Sequence, residues 1–191
     1  MAFANSLRLA EAQDLDKLRG ERPSYEVVAG VIGRKAAPSF AHGDAQLGIG
    51  AHLKGPFQFG RGGPGGWWLA SEVEIEFEVN EIYLPDLAGW RRDRVPERPS
   101  GVPVRVRPDW VCELLSPSTR GRDQTVKRLT YERCRVSHYW IVDLSETPRL
   151  HVLRLGPDGY QPIREAGPGD IVRAEPFIEI ELDCSVLLGI S

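Results

Sequence analysis

Residues 108–143 read PDWVCELLSPSTRGRDQTVKRLTYERCRVSHYWIVD, and this stretch decides the fold. WVCELLS, residues 110–116, is a compact apolar run that reads as a strand carrying one acid, Glu113. SPSTRGRD is turn chemistry. A helix is predicted over about 122–134, with Val126, Leu129 and Cys134 on its buried side. Lys127 and Tyr131 share a neighbouring side at i and i+4. HYWIVD, residues 138–143, is apolar enough for a central strand buried on both faces.

Upstream, residues 8–19 read as a short helix that Pro23 ends, and YEVVAGVIGRKA reads as a hairpin or bent strand around Gly30. Ser39 caps a second helix running to about Leu53, a reading that Gly43, Gly48 and Gly50 weaken. GPFQFGRGGPGG, residues 55–66, lacks the Lys-Ser or Lys-Thr of a phosphate loop and reads as a flexible turn. In SEVEIEFEV, Glu72, Glu74, Glu76 and Glu78 alternate with apolar residues, as on a strand with a solvated face. Asn80 and Glu81 form a turn, and IYLPDLAGW follows as a second strand. Residues 91–107, with three prolines, form an irregular loop. Past residue 143, RLHVLRL, YQPIREA, DIVRAE and IEIELD supply further strands, and CSVLLG closes the core. The order is mixed α/β with an α+β character: a mixed sheet flanked by helices, with extra antiparallel hairpins.

The 191 residues, 41% hydrophobic and 27% charged, suit one globular domain over 1–191 and exclude disorder, collagen and coiled coil. No apolar run approaches the roughly 18 residues of a membrane span. The charged N-terminal twenty residues do not resemble a secretory signal, so a cytoplasmic protein is expected. Cys112, Cys134 and Cys184 show no metal or disulfide spacing and read as buried thiols. The net charge of −3 is uneven: residues 91–135 carry a local +6 and the remainder −9. Such a basic stretch attracts a polyanion or is a set of solvated arginines.

Asp86 follows Pro85 near a strand end, and Glu113 lies inside an apolar strand, where a carboxylate needs a partner, a hydrogen bond or a metal. Two carboxylates meeting the Lys127 ammonium at a strand end would suit a hard divalent cation. The competing reading leaves Glu113 facing solvent, or in a structural ion pair with Lys127. The histidines lack metal-ligand spacing; His42, His52 and His151 read as surface or hydrogen-bonded groups. The five tryptophans read as core or interface anchors before base-stacking platforms. Ser116 and Ser118 lack a serine hydrolase's companions.

LPDLAGW followed by the 108–143 block resembles the Uma-two type of bacterial restriction endonuclease, within the PD-(D/E)XK nuclease superfamily. The family pattern runs PDLVVEVLSPST, then RD, K, Y and YWIVD, and the likeness extends over most of the chain. It implies a restriction-endonuclease-like core with its acids at one strand edge. Carried over by position, Asp86 and Glu113 are the catalytic acids and metal ligands. The place two residues beyond Glu113 holds Leu115, and the matching lysine is Lys127, on the following helix. Glu26 matches an additional N-terminal acid, while Asp123 and Tyr131 match supporting positions behind the ligands. His138 stands where relatives often carry an acid. The implied chemistry is Mg²⁺-dependent hydrolysis of DNA phosphodiesters, with Mn²⁺ as the alternative metal. Arg120, Arg122 and Arg128 would lie on the phosphate backbone, and a homodimer would cut two strands. Two rivals stand beside this. One is a silent nuclease fold serving as a nucleic-acid-binding or scaffolding module. The other is a metal hydrolase acting on a small phosphorylated substrate.

Overall fold

The computed structural model describes residues 8–20, 24–115 and 122–190. The first half runs α1 (Ala12–Leu15), β1 (Tyr25–Val28), β2 (Val31–Arg34), α2 (Phe40–Leu53), β3 (Trp67–Ser71), β4 (Ile75–Glu78), β5 (Glu81–Tyr83) and β6 (Leu87–Arg91). The second half runs β7 (Trp110–Leu115), α3 (Arg122–Arg133), β8 (His138–Asp143), β9 (Arg149–Gly156), β10 (Gly159–Ala166), β11 (Ile171–Val172), β12 (Leu182–Asp183) and α4 (Cys184–Leu187).

A six-stranded sheet in the order β10-β9-β8-β7-β6-β3 is the centre of the molecule. Its only parallel pair among the described strands is β7 with β8, whose register runs Trp110 to His138 through Leu115 to Asp143. Parallel neighbours need a crossover, and α3 provides it, so the 108–143 block folds as one βαβ unit. A second sheet, β2-β1-β5-β4, is wholly antiparallel, and β11 pairs with β12. The fold is therefore mixed α+β, with a mixed sheet and antiparallel hairpins.

Alternation along the central strands sorts two cores. Trp110, Cys112 and Leu114 of β7 and Trp140 and Val142 of β8 pack with Ile49 and Leu53 of α2 and Leu187 of α4. Phe177 fills the middle of this layer, with ring centroids 4.7 Å from Phe57, 5.0 Å from Trp67 and Trp110, and 5.6 Å from Trp140. On the other face, Val111 and Tyr139 meet Tyr131 of α3, together with Tyr83 and Trp90. Trp90, Trp110 and Trp140 are fully buried core anchors.

Several expectations need correction. The first helix is a single turn, Ala12–Leu15. Lys54–Gln58, read as loop, forms a π-helical turn continuing α2. IYLPDLAGW divides between two sheets at Leu84-Pro85-Asp86. The inner face of α3 is formed by Lys127, Thr130 and Tyr131, while Leu129 is 49% exposed. The rotation of α3 follows Tyr131, whose ring packs on Phe77, Tyr83 and Tyr139, and Lys127, which pairs with buried acids. Cys134 is only partly buried. Within the second helix, Ser39 accepts the His42 N–H at 3.2 Å as expected of a cap. Gly48 has a packing reason: a Cβ there would stand 2.9 Å from the Val186 carbonyl oxygen. No helix among the described residues is long and apolar enough to cross a membrane.

Phe177→Ala should lower stability by about 3–5 kcal/mol, the cost of emptying a packed aromatic site. Phe59→Ala, at a ring 56% exposed, should change it by less than about 0.5 kcal/mol. Urea denaturation followed by tryptophan fluorescence measures both.

Candidate functional site

Antiparallel pairing of β6 with β7 sets Leu87 opposite Cys112. One step beyond the ladder, Asp86 comes to the Glu113 end of β7. Asp86 Oδ2 accepts the Leu114 N–H at 2.7 Å, which pins the carboxylate to the strand edge. Glu113 Oε1 accepts from the Tyr131 hydroxyl at 2.6 Å, across from α3. Lys127, one turn before Tyr131 on α3, places Nζ 3.7 Å from Glu113 Oε1. The same ammonium donates to Glu26 Oε1 at 2.7 Å. Glu26, on β1, also accepts the Leu84 N–H at 2.7 Å. Glu113, Lys127, Glu26 and Tyr131 therefore form one buried cluster spanning both sheets and α3, and Asp86 lies beside it, tied to β7 through the Leu114 backbone.

The sequence reading missed four members of this neighbourhood. Lys35, just past β2, donates to the Leu84 carbonyl at 2.6 Å, Glu72 Oε2 at 2.7 Å and Asp86 Oδ1 at 2.9 Å. His42, read as a surface or hydrogen-bonded group, is buried in the first turn of α2 with its Nε2 3.2 Å from Asp86 Oδ1. Gln46, one turn later, donates to the Asp86 carbonyl at 2.8 Å and Glu72 Oε1 at 3.3 Å. Glu72, read as part of a solvated strand face, lies outside β3 and β4 in a left-handed conformation with φ 53°. The other three glutamates of that run also have partners: Glu74 with Arg19, Glu76 with Arg105 and Glu78 with Arg133. A lone lysine at a hairpin exit carries no spacing motif. Only His42, three residues after a capping serine, gave a local signal of its place.

Burial and opposite charge pull these groups apart electrostatically. Burial raises the Glu113 carboxyl to about 7, Lys127 works against that rise, and the Asp86 charge adds to it. Burial also opposes ionisation of Asp86, yet His42 and Lys35 outweigh it and hold that carboxyl well below the usual range. Desolvation would lower both lysines. For Lys35 the charges of Asp86, Glu113 and Glu72 reverse that, and for Lys127 those of Glu113 and Glu26. Both therefore remain ammonium ions at neutral pH. The Tyr131 hydroxyl, buried beside the Glu113 charge, is pushed far up and stays a donor.

Among the described residues, the group that brings three metal-capable side chains together is His42, Glu72 and Asp86, with ligand atoms within 4.8 Å of one another. A cleft of about 920 Å³ is lined by His42 and Glu72 together with Lys35, Gln46 and Arg34, while Asp86 is not part of its lining. Arg120 lies outside the described residues, as do the side chains of Arg122 and Asp123, although α3 includes both positions. Arg128 is exposed on α3 and reaches the Tyr160 carbonyl at 3.4 Å. His138 pairs with Glu175 at 3.3 Å, away from the carboxylates.

A crystal structure of a putative nuclease belonging to DUF820 from Anabaena variabilis is similar, with a TM-score of 0.72 at 20% identity. The likeness covers 95% of this chain and 99% of that one, and it shows a shared fold. No curated protein matches the chain. The Uma2 family, described as "Putative restriction endonuclease", matches residues 9–187. With nearly its whole length inside that match, the chain belongs to the Uma2 family.

Proposed function

We propose that this protein is a divalent-metal-dependent endonuclease that hydrolyses DNA phosphodiesters, with Asp86, Glu113 and Lys127 as its catalytic residues and Glu26 as an additional acid. What supports the reading is the α3 ammonium, with Lys127 Nζ 3.7 Å from Glu113 and 2.7 Å from Glu26, next to an Asp86 carboxylate held on the Leu114 N–H of the strand that carries Glu113. The donor set suits a hard ion, since Asp86 stays ionised and both acids offer carboxylate oxygens. Asp86 and Glu113 would hold Mg²⁺, or Mn²⁺ in its place. When bound there, such an ion supplies Lewis acidity toward a phosphoryl oxygen and an acidified water.

The chain's own groups do the rest. Lys127 presents a fixed positive charge to the charge that develops on phosphorus oxygens, and Glu26 fixes its direction. Tyr131 holds Glu113 Oε1, leaving its other oxygen free of that hydroxyl. Arg120, Arg122 and Arg128 would contact the DNA backbone, and Asp123 would support the ligands from behind. Residues 1–191 form a single catalytic domain in the cytoplasm, and two copies pair to cut both strands.

Supercoiled plasmid incubated with Mg²⁺ or Mn²⁺ should be nicked, and EDTA should stop the reaction. Glu113→Gln and Lys127→Ala should each reduce the nicking rate by at least about 100-fold while melting cooperatively. Nicking that Glu113→Gln leaves untouched overturns the assignment. DNA binding without nicking, under every metal tried, would favour a silent nuclease-fold binding module. Arg128→Ala should weaken duplex binding about equally for all sequences and reduce the salt slope by about one.

The metal-free protein carries a pH signature as well. Glu113 holds its proton to about pH 7 when folded but only to about pH 4.3 when unfolded. Its contribution to stability is therefore full below the unfolded value and is lost as pH rises through 7. Asp86 acts in the opposite sense, and its contribution disappears only in acid. In EDTA, the stability of Glu113→Gln relative to wild type should improve between pH 5 and 8 by on the order of 1–3 kcal/mol. Urea titrations across that range measure it, and a flat difference would mean that Glu113 is ionised throughout.

A further inference from the structure

The Asp86 carboxylate has two sides, and only one belongs to the residues that the family motif supplies. Oδ2 accepts from the Leu114 backbone. Oδ1 faces His42, Glu72 and Lys35, none of which is part of the motif. His42 is the unusual member. Its side chain is 9% exposed, and its backbone N–H is fixed to the Ser39 cap. Nε2 is fully enclosed and makes no hydrogen bond among the described residues. It lies 3.2 Å from Asp86 Oδ1 but off the line an N–H···O bond requires. An enclosed ring nitrogen whose contact with a carboxylate oxygen is misaligned is poorly satisfied, and that oxygen is the one it faces.

Lys35 shows what that position accepts. Its ammonium sits among Glu72 Oε2, Asp86 Oδ1 and the Leu84 carbonyl, at 2.7, 2.9 and 2.6 Å. Three oxygens close around one positive charge, with a ring nitrogen at the same carboxylate. Glu72 is exposed at the edge of the cleft, so the position opens toward solvent. Gln46 bridges Glu72 to the Asp86 backbone and holds the two acids in register.

We infer that His42 Nε2, Glu72 and Asp86 Oδ1 form a divalent-cation seat in which the Lys35 ammonium stands in for the ion. A mixed nitrogen and oxygen donor set favours Mn²⁺ over Mg²⁺, because imidazole binds first-row transition ions better than it binds magnesium. The inference rests on the proposed function only for the use made of the ion, which would share Asp86 with the hydrolytic site. Entry of an ion sends Lys35 out toward the cleft, where its charge faces an incoming phosphate. Lys35 is then the competitor of the metal and His42 its selector.

The test uses the full chain and Mn²⁺ alone, by isothermal titration calorimetry and electron paramagnetic resonance. Wild type should bind one Mn²⁺ per chain at this seat, more tightly than Mg²⁺, and the bound ion should show nitrogen hyperfine modulation from imidazole. His42→Ala and Glu72→Gln should each weaken Mn²⁺ binding about tenfold or more. His42→Ala should also narrow the preference over Mg²⁺. Lys35→Met should tighten binding by removing the competing charge. Because the nitrogen modulation is read on wild type, the outcome does not depend on how any variant folds. Its absence overturns the inference. So does binding that His42→Ala and Glu72→Gln leave unchanged but Glu113→Gln abolishes; that result places the ion on the motif acids and leaves the proposed function standing. Binding as inferred, without plasmid nicking, keeps the seat and removes the hydrolytic reading.

Discussion

The structure turns on compensating buried carboxylate charge. Glu26, Asp86 and Glu113 are all largely enclosed, and an unpaired carboxylate in such surroundings would either take up a proton or open the fold. Two lysines meet that need. Lys127 spans Glu26 and Glu113, while Lys35 spans Asp86 and Glu72. Each lysine joins parts of the chain that are distant in sequence. Lys127 fixes the turn of α3 against both sheets, and Lys35 closes the exit of the β1–β2 hairpin over the β5–β6 junction. The balance is uneven, since Asp86 is held strongly ionised while Glu113 retains a proton to near neutrality. Groups that differ in this way within one enclosure are characteristic of chemical sites.

Much of this architecture was legible in the sequence because a few segments have a single physical solution. An apolar run with one acid, a turn, a helix and a second apolar run reads as strand, helix, strand, and the structure adds that β7 and β8 pair in parallel. Ser39 marked the start of α2 for the ordinary reason that a hydroxyl satisfies an orphan N–H. The acids Asp86 and Glu113 stood out because their neighbours are apolar. Lys127 could be matched only through a resemblance, since spacing places it on the helix without saying what it faces.

The remainder was hidden for definite reasons. Alternation in SEVEIEFEV implied one continuous strand, but the chain turns left-handed at Glu72, and only Ile75–Glu78 pair as a strand. That break frees Glu72 to face Lys35. Leu129 was assigned inward by its apolarity, whereas α3 rotates to bring Lys127 and Tyr131 to the acids. The charge asymmetry of residues 91–135 also gave an incomplete picture. Arg94 is committed to Asp109, Arg105 to Glu76 and Arg133 to Glu78. Arg92 stacks 3.7 Å over Trp68 and donates to the Trp67 and Gln58 carbonyls. Several cations that look available in the sequence are already bound within the molecule.

The ion pair between Glu26 and Lys127 links positions 101 residues apart. Neither the early hairpin nor the later crossover unit holds a complete set of charged groups. A chain in which only one of these two units has formed thus lacks the finished enclosure. The enclosure is complete only once the hairpin that carries Glu26 and the helix that carries Lys127 have both docked.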